Sequence, residues 1–276
     1  MELGIHLPQY GRAASPHGIA RVSRHAEALG LAHLWVSDHV VHPAQQRYPS
    51  AYLYDPLLTL TWSAAITSRI GLGTSVLVVP QYNPLWLANA LSSLDSLSEG
   101  RLTLAVGVGW SEAEFDALGQ SFSDRGRRTD EILALLRAAW EEDPCNFDGT
   151  YYSMSDLRIL PKPGHRIPFW IGGNSEAAFR RAVEHGDGVH LDNPAADEIA
   201  RLTKRLRDAR PEPSFTISVR VSWKDLGATP DEVRAGCERL GDAGVDVTMV
   251  DPQVGSLDEW IRCADVIAAG VDQGSV

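Results

Sequence analysis

The chain has 276 residues, 44% of them hydrophobic, which is enough to bury a sizeable core. Its 36 acidic residues outnumber 25 basic ones, and the formal charge of −11 repels a phosphate backbone, so nucleic acid is excluded as an expected partner. Only Lys162, Lys204 and Lys224 are lysines, which leaves arginines and backbone amides to hold any anionic ligand.

The opening MELGIHLPQYG lacks a basic start followed by an apolar stretch, and no run of about 18 uncharged apolar residues occurs. The expectation is a cytoplasmic protein with no membrane span. Strand-like segments then recur: LGIHL (3–7), HLWVS (33–37), RIGLGTSV (69–76), LTLAVGVG (102–109), FWIGG (169–173), GVHL (188–191), FTISVRV (215–221) and DVTMV (246–250). Helical patterns separate them; in the first, Ile19, Val22, Ala26 and Leu29 share one face and Gly30 ends it. Ser15-Pro16, Asp55-Pro56, Asn83-Pro84, Asn193-Pro194 and Thr229-Pro230 each place a side-chain acceptor at an N-cap and a proline at the first helical position.

The alternation breaks over residues 110–168. There an acidic stretch, SEAEFDALG, precedes the arginine-rich DRGRRTDE, a helix with Ile132, Leu133, Leu136 and Trp140, and a hairpin-like FDGTYYSM. Apolar strands separated by amphipathic helices predict one (β/α)₈ TIM barrel domain over residues 1–276, with this insertion after strand four. A doubly wound open sheet is the alternative, but it would place a glycine pattern after the first strand, where LPQYGR has none. Cys145, Cys237 and Cys263 are too scattered for a disulfide framework or a zinc site, so no metal is expected.

In such a barrel the strand C-termini share one mouth, where active sites sit. A lone histidine is more often a hydrogen-bonded core residue, and an aspartate a loop cap. Asp38 and His39, however, close the second strand in LWVSDHVVHP, and that position favours chemistry. His6 lies near the end of the first strand. Gly73, Thr74 and Ser75 are small enough for a flat ring to approach the backbone. Gly107 and Gly109 keep the mouth open beside Trp110, while Gly172 and Gly173 before an Asn174-Ser175 cap suit a phosphate. Arg12, Arg47 and Arg220 are further candidates for the mouth. Asp95 with Arg101 reads as a cap and ion pair closing a loop, and RGRR (125–128) as a charge network at a helix entry. Trp62, Trp86 and Trp140 read as core or interface, and Asp187 as shaping the loop before strand six.

The stretches GLAHLWVSDH, YDPLLTLTWSAAITSRIGLGTSV, NPLWLANALSSLDSLSEGRLTLAVGVGW, EFDALG, RGRRTDEIL and PFWIGGNSEAAFRRAVEHGDGVHL, in this order, resemble the luciferase-like monooxygenase superfamily, and in particular its F420-dependent (deazaflavin) oxidoreductases. The resemblance covers about two thirds of the chain and implies a (β/α)₈ barrel enzyme. It implies that His39 stands beside the reacting edge of the ring, with Asp38 as the acid that orients it. It further implies a non-prolyl cis peptide at Ser75-Val76 backing the ring and a phosphate held by backbone amides at Gly172 and Gly173; His6, Gly107, Gly109 and Asn174 join the expected cofactor pocket from their strand-end positions. Trp110 stands where relatives that oxidise a sugar phosphate carry a glutamate, so that mechanism does not transfer. The expected reaction moves a hydride between coenzyme F420 and a small-molecule substrate, in a homodimer formed through helices including residues 84–97. Two alternatives stay open: an FMN-dependent monooxygenase supplied with reduced flavin, and a non-catalytic flavin-binding barrel.

Overall fold

The computed structural model describes residues 1–46 and 50–271, so Arg47 lies outside the described residues. Along the chain run β1 (Glu2–His6), α1 (Pro16–Ala28), β2 (His33–Val36), α2 (Pro56–Ala64), β3 (Gly71–Val78), α3 (Pro84–Leu97) and β4 (Leu102–Gly107). The insertion follows as α4 (Glu112–Ala117), α5 (Arg125–Glu141) and a hairpin of β5 (Cys145–Asp148) and β6 (Ser153–Leu157). Then come β7 (Phe169–Gly172), α6 (Glu176–His185), β8 (Gly188–Asp192), α7 (Ala196–Ala209), β9 (Thr216–Ser222), α8 (Trp223–Leu226), α9 (Pro230–Asp242), β10 (Val247–Asp251) and α10 (Leu257–Gly270). The barrel closes in the order β1-β10-β9-β8-β7-β4-β3-β2, with every neighbouring pair parallel. Each expected strand is present, and the fold is the expected (β/α)₈ barrel. Among the described residues no helix is long and apolar enough to cross a membrane.

Four of the proline-marked helix starts work as caps. Ser15 accepts from Gly18 N–H, Asp55 from Leu58 N–H, and Asn83 from the amides of Leu85 and Trp86. Thr229 and Glu232 form a reciprocal capping box. Asn193-Pro194 does not cap: α7 begins at Ala196, and Asn193 has φ 41° with its N–H donated to Arg220 O at 3.0 Å. It finishes the strand end instead. The Asp95–Arg101 ion pair is also corrected. The Arg101 guanidinium goes to the carbonyls of Ala64, Thr67, Ile70 and Ser98, and buried Asp95 faces His165 at 3.4 Å. Arg128 does knit the entry of α5, reaching Asp124 at 3.0 Å and the carbonyls of Pro80 and Ser121. Asp187 accepts Phe169 N–H and pairs with Arg137 and Arg166, which ties the start of β7 to the insertion. Trp140 is core, whereas Trp62 and Trp86 are exposed.

Two indoles fill the lower half of the barrel. Trp35 and Trp170, with ring centroids 5.6 Å apart, pack with Met249, Val247 and Ala105. They fit because facing positions have no side chain: a Cβ at Gly4 would lie 2.4 Å from Trp35 Nε1, and one at Gly73 would lie 2.4 Å from Trp35 Cε3. The glycines of β3 are therefore partly a packing device. Gly73→Ala will destabilise the fold by about 1–3 kcal/mol through overpacking. Urea unfolding will show a smaller loss in a Trp35→Leu background, where the clash is gone; equal losses in both backgrounds would refute the explanation.

Candidate active site

A cleft of about 540 Å³ opens at the C-terminal mouth of the barrel. Asp38, His39, Ser75, Val76, Gly107, Gly109, Gly172 and Gly173 all line it, so the strand-end reasoning brings these residues together. Among the arginines, Arg220 lines it as well. Arg12 packs against Gly255, outside the lining.

The wall is anchored from behind. Buried Gln9 receives Ser37 N–H at 2.5 Å and donates to the carbonyls of Ser37 and Tyr54, which fixes the chain entering residues 38 and 39. Asp38 is buried and accepts Val78 N–H and Tyr82 O–H, both at 2.8 Å. Burial pushes its carboxyl up to about 6, against the pull of those two bonds and of His39. Tyr82 is raised too, by burial and then by the Asp38 charge, so its phenol stays a donor.

The expected partnership of Asp38 and His39 is overturned. His39 Nδ1 lies 3.0 Å from Glu114 Oε2, and Glu114 Oε1 accepts Val40 N–H at 2.6 Å. Glu114 comes from α4 and is only 1% exposed. Burial works to raise its carboxyl, but the hydrogen bonds from His39 and Val40 outweigh it and hold the group below its usual range. A carboxylate can only accept, so Nδ1 carries the proton and Nε2 is left for a ligand. Trp110 meets the His39 ring edge-on at 5.6 Å and is itself largely exposed.

Below lies a polar floor. The Ser75–Val76 peptide is cis, as the resemblance implied. Ser75 Oγ lies 2.8 Å from His190 Nε2, and His190 Nδ1 lies 2.9 Å from Ser218 Oγ, with the imidazole stacked on Trp35 at 5.4 Å. Val76 projects between two strands: a Cβ on Gly107 or Gly172 would come within 2.5 Å or 2.6 Å of its methyls. These two glycines therefore seat Val76. The Gly173 amide donates to His190 O at 3.0 Å and is spent inside the barrel, and Ala178 N–H is capped by Ser175 Oγ, so an anion at this end would meet the α6 amides of Glu176 and Ala177.

Two expected residues stand off the cleft. His6 is fully buried behind Ser37, with Nδ1 2.7 Å from Leu7 O and Nε2 2.8 Å from Ser37 Oγ. Asn174 straps the β7 and β8 ends together, donating to Asp192 O at 2.8 Å and accepting Asp192 N–H at 3.0 Å. Sequence reasoning missed Glu114, Tyr82, His190 and the pair of Arg220 with Asp251, 2.5 Å apart, to which Tyr10 O–H adds a bond at 2.7 Å.

The buried imidazoles set a pH limit on the fold. Burial drives His6 down to about 4 and His190 down to about 3, in the latter case helped by the Arg220 charge. Both rings stay neutral in the fold but ionise near 6.5 once unfolded. Stability is therefore full above that pH and falls as pH drops, by about 1.4 kcal/mol per unit for each ring. Asp38 acts oppositely between about 6 and 3.8, where it keeps a proton that the unfolded chain releases. Two imidazoles against one carboxyl leave a net loss toward pH 4. Urea midpoints will fall between pH 6.5 and 4.5, and His190→Gln will flatten the slope; pH-independent midpoints would contradict this account.

The model of the luciferase-like monooxygenase family matches residues 1–258. An F420-dependent glucose-6-phosphate dehydrogenase of Kineococcus radiotolerans is 33% identical over 63% of this chain and 52% of its own length, so the chain spans about half of that relative. An uncharacterised protein of Mycobacterium tuberculosis is 30% identical over 91% of this chain and 93% of its own. In solved structures the fold is shared by a monooxygenase from Streptomyces bottropensis (TM-score 0.84, 21% identity, 98% of both chains). It is shared too by an F420-dependent secondary alcohol dehydrogenase in complex with an F420-acetone adduct (TM-score 0.81, 19% identity, 98% of this chain and 99% of that one).

Proposed function

Because the chain belongs to the luciferase-like monooxygenase family, we propose that it is an F420-dependent oxidoreductase acting on a small organic molecule, the whole chain forming one barrel domain. The observation that carries this reading is the His39–Glu114 pair at the cleft, facing the floor built on Ser75–Val76. The residues fit the cofactor: Val76 seated between Gly107 and Gly172 gives a smooth floor, and the ten-residue α6 points its first turn toward the Gly173 end. Ser75, Val76, Gly107 and Gly109 would lie along the ring, and the first-turn amides of α6 would take the phosphate. When bound, the deazaflavin supplies a two-electron hydride donor or acceptor.

The chain's own part is proton handling and placement. With Nδ1–H donated to Glu114, His39 Nε2 is the base that takes a hydroxyl proton during substrate oxidation, and as imidazolium it returns that proton during reduction. Glu114 stays ionised and stabilises the imidazolium. The barrel walls hold the two reactants together and limit water. Leu58 and Trp62 on α2, with Trp86 and Leu97 on α3, expose apolar surface that supports a homodimer through this face.

The test is a fluorescence titration of the purified protein with oxidised F420 and, separately, with FMN. Selective binding of F420 at micromolar concentration or below is the expected result. Preference for FMN would overturn the hydride-transfer reading and turn attention to oxygen chemistry. Tight binding without turnover on any substrate would favour a non-catalytic carrier.

A further inference from the structure

We propose that the substrate half of the cleft is built for an uncharged molecule, a small alcohol or its carbonyl counterpart, and discriminates against phosphorylated and carboxylate-bearing compounds. This rests on the F420-dependent reading above. It would separate the chain from the glucose-6-phosphate dehydrogenases it resembles.

The case is one of charge. Among the described residues Arg220 is the one arginine or lysine lining the cleft. Its guanidinium is already held: Nη2 meets Asp251 at 2.5 Å, and Nη1 reaches toward Ser75 O at 3.4 Å. Asp251 is 1% exposed and receives Tyr10 O–H besides, so that carboxylate is fixed in place. Burial acts to raise it, but the Arg220 charge and the bonds from Arg220 and Tyr10 keep it ionised. Asp192 is the register partner of Arg220 across β8 and β9 and also lines the cleft, which brings a second acid to the same guanidinium. Glu114, the third, is committed to His39. Asp38, Glu114 and Asp192 thus line the cleft together with a single guanidinium, which is already paired with Asp251.

A phosphate or carboxylate needs a guanidinium free for bidentate contact or several convergent cations. The lysines offer no substitute: Lys162 donates to the carbonyls of Ala139 and Glu142, Lys204 pairs with Asp208 on α7, and Lys224 on α8 lies outside the cleft lining. Amides at the head of α6 are taken, in the reading above, by the cofactor. Leu53, Tyr10 and Trp110 give the same walls their apolar surface. A neutral hydroxyl or carbonyl compound meets no repulsion there, while an anion enters a negative field that salt only partly screens.

Fluorine NMR will decide between these, with para-fluorobenzyl alcohol and para-fluorobenzoate titrated into the F420-loaded protein. The alcohol is expected to bind about tenfold tighter or better, and Asp192→Lys to shift the ratio toward the benzoate by about tenfold. Equal or tighter benzoate binding, or no binding of either probe, overturns the proposal. If F420 itself fails to bind, the earlier reading falls. The same probe pair on the cofactor-free protein, with inorganic phosphate saturating the α6 end, then decides the charge preference alone.

Discussion

His39→Ala will lower turnover by about 10²-fold or more while F420 affinity stays within a few fold. The ring is the titratable group of the lining whose second nitrogen is left for a ligand, because Nδ1 is bound to Glu114 at 3.0 Å. Removing it takes away the proton acceptor but leaves the Val76 floor and the α6 amides that would hold the cofactor. The expected signature is a fall in kcat with little change in cofactor Kd. Turnover within twofold of the unmodified enzyme would strip His39 of its role.

Glu114→Gln carries the second large effect, about 10- to 10²-fold in kcat. Glutamine has one acceptor where the carboxylate has two, and both are in use, one by His39 Nδ1 and the other by Val40 N–H. If the glutamine oxygen keeps Val40, its NH₂ faces Nδ1 and favours the tautomer with the proton on Nε2. The base then becomes a donor, and kcat for substrate oxidation falls and its pH profile moves, while KM changes little. Nitrogen NMR of the imidazole reads the tautomer directly. Glu114→Ala adds a stability cost of about 1–3 kcal/mol for buried donors left without an acceptor, which urea unfolding separates from the catalytic effect. An unshifted pH profile in Glu114→Gln would return the orienting role to another group.

What the sequence disclosed and what it hid divide along the range of the interactions. The eight strands and four of the caps rest on patterns within a few residues, and those patterns survive folding intact. The partner of His39 does not. Asp38 is its neighbour in sequence, yet successive side chains of an extended segment point to opposite sides, so Asp38 turns toward Val78 and Tyr82. Glu114 sits 75 residues farther along, in what reads as an ordinary acidic helix start. Its one local signal is an acid closely following the end of strand four, and an ordinary helix start carries the same signal. Gly107 and Gly172 were placed at the cleft from their strand-end positions, but why they are glycine depends on where Val76 points, and no local pattern encodes that. His190 was hidden in the same way, inside a strand that needed only to be apolar.

Trp35 and Trp170 also dictate traffic. With the indoles filling the lower barrel and His190 stacked on Trp35, the described residues close the cleft at its floor and leave it open at the mouth, like a blind alley. Molecules that share a blind alley must queue: the one that sits deeper has to arrive first and depart last. The kinetics should therefore show compulsory order, the ring-bearing cofactor first and the small reactant second, with the small product released before the cofactor leaves.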